Sequence, residues 1–219
     1  GLDGRIARLT KTSSDFGVQL DSLADIVTFG VAPAILAFNW GFSATEGLGG
    51  NVSMHVRQLG FVASFAFVVC GALRLARFNL QAKKPADSGS KRYFVGLPIP
   101  AGAGMIAAVV HFFKTPTLMV GSAMLWGLLI LLIAFLMIST VRYSSFKEFD
   151  VHKAKPSFAL FFTAILICLI IFYSEEVLLA MATIYLSSGL IGKLLHTVRR
   201  VLAGSVDSSS EPVHGNIKT

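Results

Sequence analysis

The sequence predicts an all-α fold in which a bundle of helices crosses a membrane several times. Hydrophobic residues make up 54% of the 219 residues, and the mean hydropathy is +0.69. Charged residues make up only 14%, well below the content of about 25% that is usual in soluble domains. Six stretches are apolar over the length of about 17 to 25 residues that a helix needs to cross a bilayer. These observations exclude a soluble globule.

We interpret each apolar stretch as one membrane-spanning helix of a polytopic bundle. In chain order the six stretches cover residues 18–38, 59–79, 97–113, 118–141, 158–173 and 177–195. The weakly polar gap 39–57 is expected to be an external loop. Pro98 and Pro100 fit the first turn of the third span, where a missing N–H costs little. Ser174, Glu175 and Glu176 predict a tight turn between the last two spans.

The basic residues fall in alternate gaps between the spans. Gaps 1–17, 80–96, 142–157 and 193–200 carry three or four Lys and Arg each, whereas the intervening gaps carry one or none. By the positive-inside rule, this alternation places the amino-terminal segment in the cytoplasm. The formal charge of +7 is therefore explained by topology, and the division of these charges among four loops argues against nucleic-acid binding.

Two carboxylates mark the cytoplasmic start of the first span. Asp21 and Asp25 are four residues apart and share one helical face with Gly17. Ionisable groups at such positions are costly and mark functional sites by default. Since hard oxygen ligands suit Mg²⁺ or Mn²⁺, the pair predicts a divalent metal site.

A second set of polar residues precedes this span, and a third lies in the second span. Asp3, Gly4, Ala7 and Arg8 recur at helical spacing just upstream, in a segment that could end an earlier span. Near the cytoplasmic end of the second span, Arg74 and Arg77 share one face, and Asn79 follows them. Long charged side chains at such a position often extend to the membrane surface. Two guanidinium groups on one face are better explained by binding of an anion, such as a carboxylate or a lipid phosphate.

The stretch from Asp3 to Asp25 reads D-G-x-x-A-R, eight residues, then G-x-x-x-D-x-x-x-D. It resembles the signature of the CDP-alcohol phosphotransferase family. Within that family, SLADIVTFGVAPA at 22–34, GALRLARFN at 71–79 and YFVGLPIPAGAG at 93–104 are similar to the integral-membrane phosphatidylserine synthases. The family pattern has one more Asp, which would directly precede Gly1.

The resemblance implies a reaction in which the hydroxyl of L-serine attacks CDP-diacylglycerol and CMP leaves. It assigns metal binding to Asp3, Asp21 and Asp25, with two Mg²⁺ or Mn²⁺ ions, and gives Asp25 the further role of general base. Cytidine and phosphate binding would fall to Gly4, Ala7, Arg8 and Gly17. Arg74, Arg77 and Asn79 would contact serine or a lipid phosphate.

The resemblance covers residues 1–141, which would form the catalytic membrane domain. Hydropathy predicts a cytoplasmic loop and two further spans in residues 142–200, and the composition of residues 201–219 predicts a disordered cytoplasmic tail. We expect about two more spans upstream, and we expect residues 1–219 alone to be inactive. A homodimer in the cytoplasmic (inner) membrane is implied, with membrane lipids around it and the active site facing the cytoplasm.

Two alternatives remain at this stage. One is a sibling transferase with another acceptor, such as glycerol phosphate, inositol or an archaeal ether-lipid substrate, because the metal motif serves only the shared CDP half of the reaction. The other is an ion-coupled transporter in which Asp21, Asp25 and Arg74 relay protons or cations. A transporter predicts symmetry-related broken helices, and the sequence shows no second copy of the Asp-bearing segment.

Overall fold

The structure is a computed structural model that describes residues 15–43, 50–82, 94–116, 119–143 and 156–207. Nearly all of the described residues are helical. In chain order the elements are α1 (Asp15–Ile26), a π-helical segment (Val27–Val31), α2 (Ala32–Phe42), α3 (Gly50–Ala82), β1 (Phe94–Val95), α4 (Ile99–Phe113), α5 (Val120–Ile138), β2 (Arg142–Tyr143), α6 (Pro156–Phe172) and α7 (Ser174–Asp207).

Four helical stretches of the described residues are long and apolar enough to cross a membrane. They are Phe16–Phe42, Asn51–Gln81, Val120–Ile138 and Ser174–Lys193. Two shorter apolar helices, Ile99–Phe113 and Thr163–Phe172, coincide with the third and fifth predicted spans. The predicted helical fold is thereby confirmed, with four stretches of the described residues that are suited to crossing a membrane.

The helices depart from the expected boundaries at two places. Helix α2 continues to Phe42 and helix α3 begins at Gly50, so most of the expected external loop 39–57 is helical. A helix pairs its own backbone N–H and C=O groups. A weakly polar segment at a membrane favours this, because lipid cannot replace the hydrogen bonds that water gives to a loop. Helix α7 ends at Asp207, inside the segment 201–219 for which disorder is expected.

The predicted tight turn between the last two spans is confirmed. Helix α6 ends at Phe172 and α7 begins at Ser174. The Tyr173 N–H donates to the Leu169 carbonyl at 2.7 Å, and the Val177 N–H donates to the Tyr173 carbonyl at 3.0 Å. Backbone hydrogen bonds thus continue on both sides of the turn.

Helices α3 and α5 form the centre of the bundle, and α4 packs against the carboxyl-terminal helix α7. The fully buried side chains include Phe67 on α3, Ile106 on α4, and Ile130 and Ile133 on α5. Small residues allow this close approach, as is usual where helices associate in lipid. A Cβ at Gly102 of α4, for example, would lie 2.9 Å from Ile133.

A two-residue antiparallel bridge joins the segment before α4 to the segment after α5. Phe94 pairs with Tyr143, and Val95 pairs with Arg142. Gly96 follows with φ +87°, a conformation that favours glycine, and its N–H donates to the Val141 carbonyl at 2.8 Å. The bridge fixes Tyr143 beneath α7, at the same end of the bundle as the predicted site.

Candidate functional site

Helix α1 carries the predicted acidic pair. Asp21 is exposed, Asp25 is half-buried, and Gly17 lies one turn before Asp21 on the same face. The spacing therefore places two carboxylates side by side, with Asp25 closer to the interior of the bundle.

A π-helical turn begins two residues after Asp25. The Ala32 N–H donates to the Val27 carbonyl, five residues back, in place of the usual four. Pro33 accounts for this widening, because its ring would clash with the carbonyl of Phe29 in a regular α-helix. The wide turn therefore adds one residue to the helix just after Asp25.

Asn79 of α3 lies against α1. Its side-chain Nδ2 donates to the Ser22 hydroxyl at 2.8 Å, and that hydroxyl donates to the Val18 carbonyl at 2.9 Å. Since Ser22 lies between the two aspartates in sequence, this bond holds the carboxylate-bearing turn against α3. Ser22 was not among the residues singled out from the sequence.

Arg74 is the deepest charged residue of the site, with only 7% of its side chain exposed. The carboxylate of Asp25 interacts favourably with its guanidinium, whereas Arg77 repels it, and Tyr185 also lies within electrostatic range. The guanidinium is 5.9 Å from the centre of the Phe78 ring. Within the described part of the chain, the Arg74 Nε has no hydrogen-bond partner.

Arg77 is held by the far end of α5. Its two terminal nitrogens donate to the carbonyls of Ile138 and Ser139, both at 3.3 Å. These carbonyls end α5, where a cation is favoured by the helix dipole. Gly96 packs beneath the guanidinium, since a Cβ there would lie 2.9 Å from Arg77 Nη2. Arg77 therefore ties α3, α5 and the loop before α4 together.

Tyr143 and Tyr185, which were not among the residues predicted from the sequence, lie beside this site. Tyr185 of α7 is half-buried, and its ring centre is 5.6 Å from that of the fully buried Tyr143. Burial, with a smaller contribution from Tyr185, raises the pKa of Tyr143 to about 12, so its hydroxyl stays neutral at physiological pH. The one feature of the sequence that could have indicated Tyr185 is an aromatic residue with a hydroxyl group inside an apolar span.

The other predicted site residues, Asp3, Gly4, Ala7 and Arg8, lie outside the described residues. Within the described ranges, no group of three or more His, Cys, Asp or Glu could hold a metal ion. Asp21 and Asp25 carry carboxylate oxygens of the type that Mg²⁺ and Mn²⁺ prefer, and the Ser22 hydroxyl and the Asn79 side-chain amide lie on the adjoining surfaces of α1 and α3. The donor set present is chemically suited to a divalent ion and would need at least one further carboxylate.

Comparison with known proteins finds several relatives that share one name. The chain is 34% identical over 206 residues to a Helicobacter pylori protein named CDP-diacylglycerol–serine O-phosphatidyltransferase, covering 91% of this chain and 76% of the relative. A Methanocaldococcus jannaschii protein of the same name is 34% identical over 190 residues, covering 87% and 76%. A Saccharomyces cerevisiae protein, also of that name, is 44% identical over 113 residues, covering 50% and 36%.

The first of these matches extends over nearly the whole chain, including the region that carries Tyr143 and Tyr185. A family-wide sequence profile, described as CDP-alcohol phosphatidyltransferase, matches residues 1–134, which hold both carboxylates and Arg74. More than half of the chain is covered by this profile. The chain therefore belongs to the CDP-alcohol phosphatidyltransferase family.

Proposed function

We propose that this protein transfers the phosphatidyl group of CDP-diacylglycerol to the hydroxyl of L-serine and releases CMP. The observation that carries the proposal is that Asp25 lies within electrostatic range of the buried Arg74 in a chain of this family. The name shared by its relatives, CDP-diacylglycerol–serine O-phosphatidyltransferase, supports serine as the acceptor. The protein is thus an enzyme of phospholipid biosynthesis that acts within a membrane.

Asp25 is the proposed general base. Its carboxylate takes the proton of the serine hydroxyl while the serine oxygen forms a bond to the phosphorus that bears diacylglycerol. The bond between that phosphorus and the bridging oxygen of CMP breaks, and CMP leaves with the bonding electrons. Half-burial of Asp25 limits its access to water, which disfavours hydrolysis of the donor.

Asp21 and Asp25, with Asp3, are the proposed metal ligands. Phosphoryl-type transfer depends mainly on positioning and charge neutralisation, and two bound Mg²⁺ or Mn²⁺ ions would supply that neutralisation on the diphosphate. The bond between Asn79 and Ser22 supports this role, because it fixes the turn of α1 that presents both carboxylates. Gly4, Ala7, Arg8 and Gly17 are proposed to bind the cytidine and phosphate groups.

We further propose that both shorter apolar helices cross the membrane with the four long ones, giving six spans and about two more upstream. The basic gaps on one side support a cytoplasmic active site at the inner membrane. A homodimer is part of the same proposal.

The test is CMP release by the full-length protein in detergent or lipid, with CDP-diacylglycerol as donor. We expect release to require both L-serine and Mg²⁺ or Mn²⁺, and Asp25→Asn to lower kcat by at least about 10²-fold. Asp15→Asn is the matched control, because Asp15 begins the same helix but lies on a different face from the pair.

Each alternative predicts a different result in this assay. Release of CMP with glycerol phosphate or inositol, and none with serine, would keep the fold and overturn the acceptor. Failure to release CMP with any alcohol, in folded protein that binds metal, would contradict the transferase.

A further inference from the structure

A hydrogen-bonded chain of three groups links α3 to the acidic turn of α1. The Asn79 side-chain Nδ2 donates to the Ser22 hydroxyl at 2.8 Å, and that hydroxyl donates to the Val18 carbonyl at 2.9 Å. The Ser22 hydroxyl thereby both accepts and donates a hydrogen bond within the protein. The sequence predicts a contact between Asn79 and serine or a phosphate, whereas in the structure its amide nitrogen is bonded to α1.

The position of Ser22 on α1 determines what this bond can control. Ser22 directly follows Asp21 and lies three residues before Asp25, so Ser22 and Asp25 are neighbours on the helix surface. A hydrogen bond at Ser22 opposes rotation of α1 about its own axis. Such a rotation would move both carboxylates together, because they belong to the same helical turn.

Helix α1 packs against α3 in the described part of the chain, but much of its apolar surface remains exposed. Phe16, Leu20 and Leu23 are 75%, 55% and 60% exposed. Among helices in lipid, side-chain hydrogen bonds act together with van der Waals packing to hold one helix against the next. We therefore expect the bond between Asn79 and Ser22 to contribute substantially to the orientation of α1.

The last turns of α3 are held on their other side by α5. Arg77 donates to the carbonyls of Ile138 and Ser139, both at 3.3 Å. Asn79 follows two residues later, which is about 200° around a helix of 3.6 residues per turn, so the two side chains leave α3 on nearly opposite faces. Arg77 thus joins α3 to α5, and Asn79 joins α1 to α3. The acidic turn is oriented relative to the centre of the bundle through these two contacts in series.

We propose that Asn79 and Ser22 are positioning residues that orient Asp21 and Asp25 for binding of a divalent ion. This inference rests on the proposed function, in which the two carboxylates bind Mg²⁺ or Mn²⁺. Two carboxylates bind one ion well only when both are directed at the same point, and Mg²⁺ requires nearly ideal octahedral geometry. Without the bond, α1 would still form, but its carboxylates would bind the ion more weakly.

The test is Mn²⁺ binding to the full-length protein in the absence of substrates, measured by electron paramagnetic resonance. We expect Ser22→Ala and Asn79→Ala each to raise the Kd for Mn²⁺ about 5-fold, the effect of losing one typical hydrogen bond. Ser22→Thr retains the hydroxyl and should restore the Kd of the unmodified protein. Gln81→Ala is the matched control, because Gln81 has the same amide group near the end of α3 but is exposed.

A double-mutant cycle distinguishes one shared bond from two separate roles. If Asn79 acts through Ser22, the variant with both substitutions should show the same loss as either single variant, about 5-fold and not about 25-fold. At saturating Mn²⁺, KM for L-serine should be unchanged in all three variants. An unchanged Kd in both single variants, a multiplied loss in the double variant, or a higher KM for L-serine in Asn79→Ala would overturn the positioning role.

The proposed function fails in a different way in the same experiment. Asp25→Asn removes a proposed ligand and should weaken Mn²⁺ binding more than either positioning variant does. Binding that is absent from the unmodified protein, or unaffected by Asp25→Asn, would overturn the metal site and the positioning role with it. Binding that depends on Asp25 and is normal in the Ser22 and Asn79 variants would overturn the positioning role alone.

Discussion

The two ends of the first span differ in how their residues are packed. Asp25 lies near one end, and Trp40 lies about 22 Å further along the same helical stretch, at about 1.5 Å per residue. Around Trp40, the indole of Trp126 is 5.1 Å away between ring centres and donates its N–H to the Ala37 carbonyl at 2.9 Å. Around Asp25, the neighbours are a buried cation with an unused donor and half-buried polar groups.

Under the proposed function, this difference separates the part of the molecule that holds the bundle together from the part that would bind ligands. At the aromatic end, Gly41 fits against Trp126 and Gly60 against Phe42, with no room for a Cβ at either glycine. At the polar end, the proposed substrates and metal would bind to charged groups. An unpartnered donor alone does not distinguish the two ends, since Trp40 Nε1 also has no hydrogen-bond partner in the described part of the chain. Stability and function are commonly divided in this way, because binding sites need groups that the fold alone does not satisfy.

The largest expected effect on stability is at the aromatic end. Gly41→Ala places a methyl group where the Trp126 indole lies, and overpacking of this kind costs about 1 to 3 kcal/mol. We expect a lower midpoint of thermal unfolding, with KM values unchanged in the protein that remains folded. Gly121→Ala is the control, since a Cβ there meets no atom within 4 Å. Equal midpoints for the two variants would contradict the proposed division.

An intermediate effect is expected at Arg77, which belongs to the polar end but serves the fold. Arg77→Gln removes two hydrogen bonds from a charged donor to the end of α5 and should lower the free energy of unfolding by about 1.5 kcal/mol. Chemical denaturation of this variant, beside serine kinetics, distinguishes the anchor from a ligand contact. A higher KM for serine with unchanged unfolding would assign Arg77 to substrate binding.

The smallest effect is expected at the ion pair between Lys114 and Glu175, whose Nζ and Oε1 atoms are 2.6 Å apart. The two side chains are 65% and 33% exposed, so solvent screens their attraction. Glu175→Gln should change the free energy of unfolding by about 0.5 kcal/mol or less. Glu176→Gln, next to it and outside the pair, is the control. If Glu175→Gln lowered the free energy of unfolding as much as Gly41→Ala does, this ion pair would contribute as much to stability as the packed aromatic residues, which would contradict the expected order.

Sequence reasoning identified the pairs of candidate residues that repeat at helical spacing. The pairing of Asp21 with Asp25, and of Arg74 with Arg77, follows from the 3.6-residue period once the spans are recognised. The length and hydrophobicity of the spans gave the class of fold, and Pro98 and Pro100 fall at the start of α4 as expected.

The contacts that depend on tertiary structure could not be predicted. Tyr143 and Tyr185 are far apart in sequence, and the hydrogen bonds of Arg77 depend on where α5 ends. The helical extent of 39–57 was missed because glycine and weakly polar residues favour loops in water, whereas a membrane favours a continuous hydrogen-bonded backbone. These features all arise from neighbours that no local pattern identifies.

The π-helical turn at Val27–Val31 makes the site sensitive to the number of residues in the helix as well as to their identity. A π turn amounts to one residue inserted into an α-helix. Deleting one residue between Asp25 and Pro33 would remove the wide turn that accommodates the Pro33 ring, so the helix would have to kink there and the acidic pair would move relative to α2. Because α2 is held by the aromatic end, the carboxylates would turn away from Arg74. Insertions and deletions in this turn should therefore be tolerated far less than substitutions.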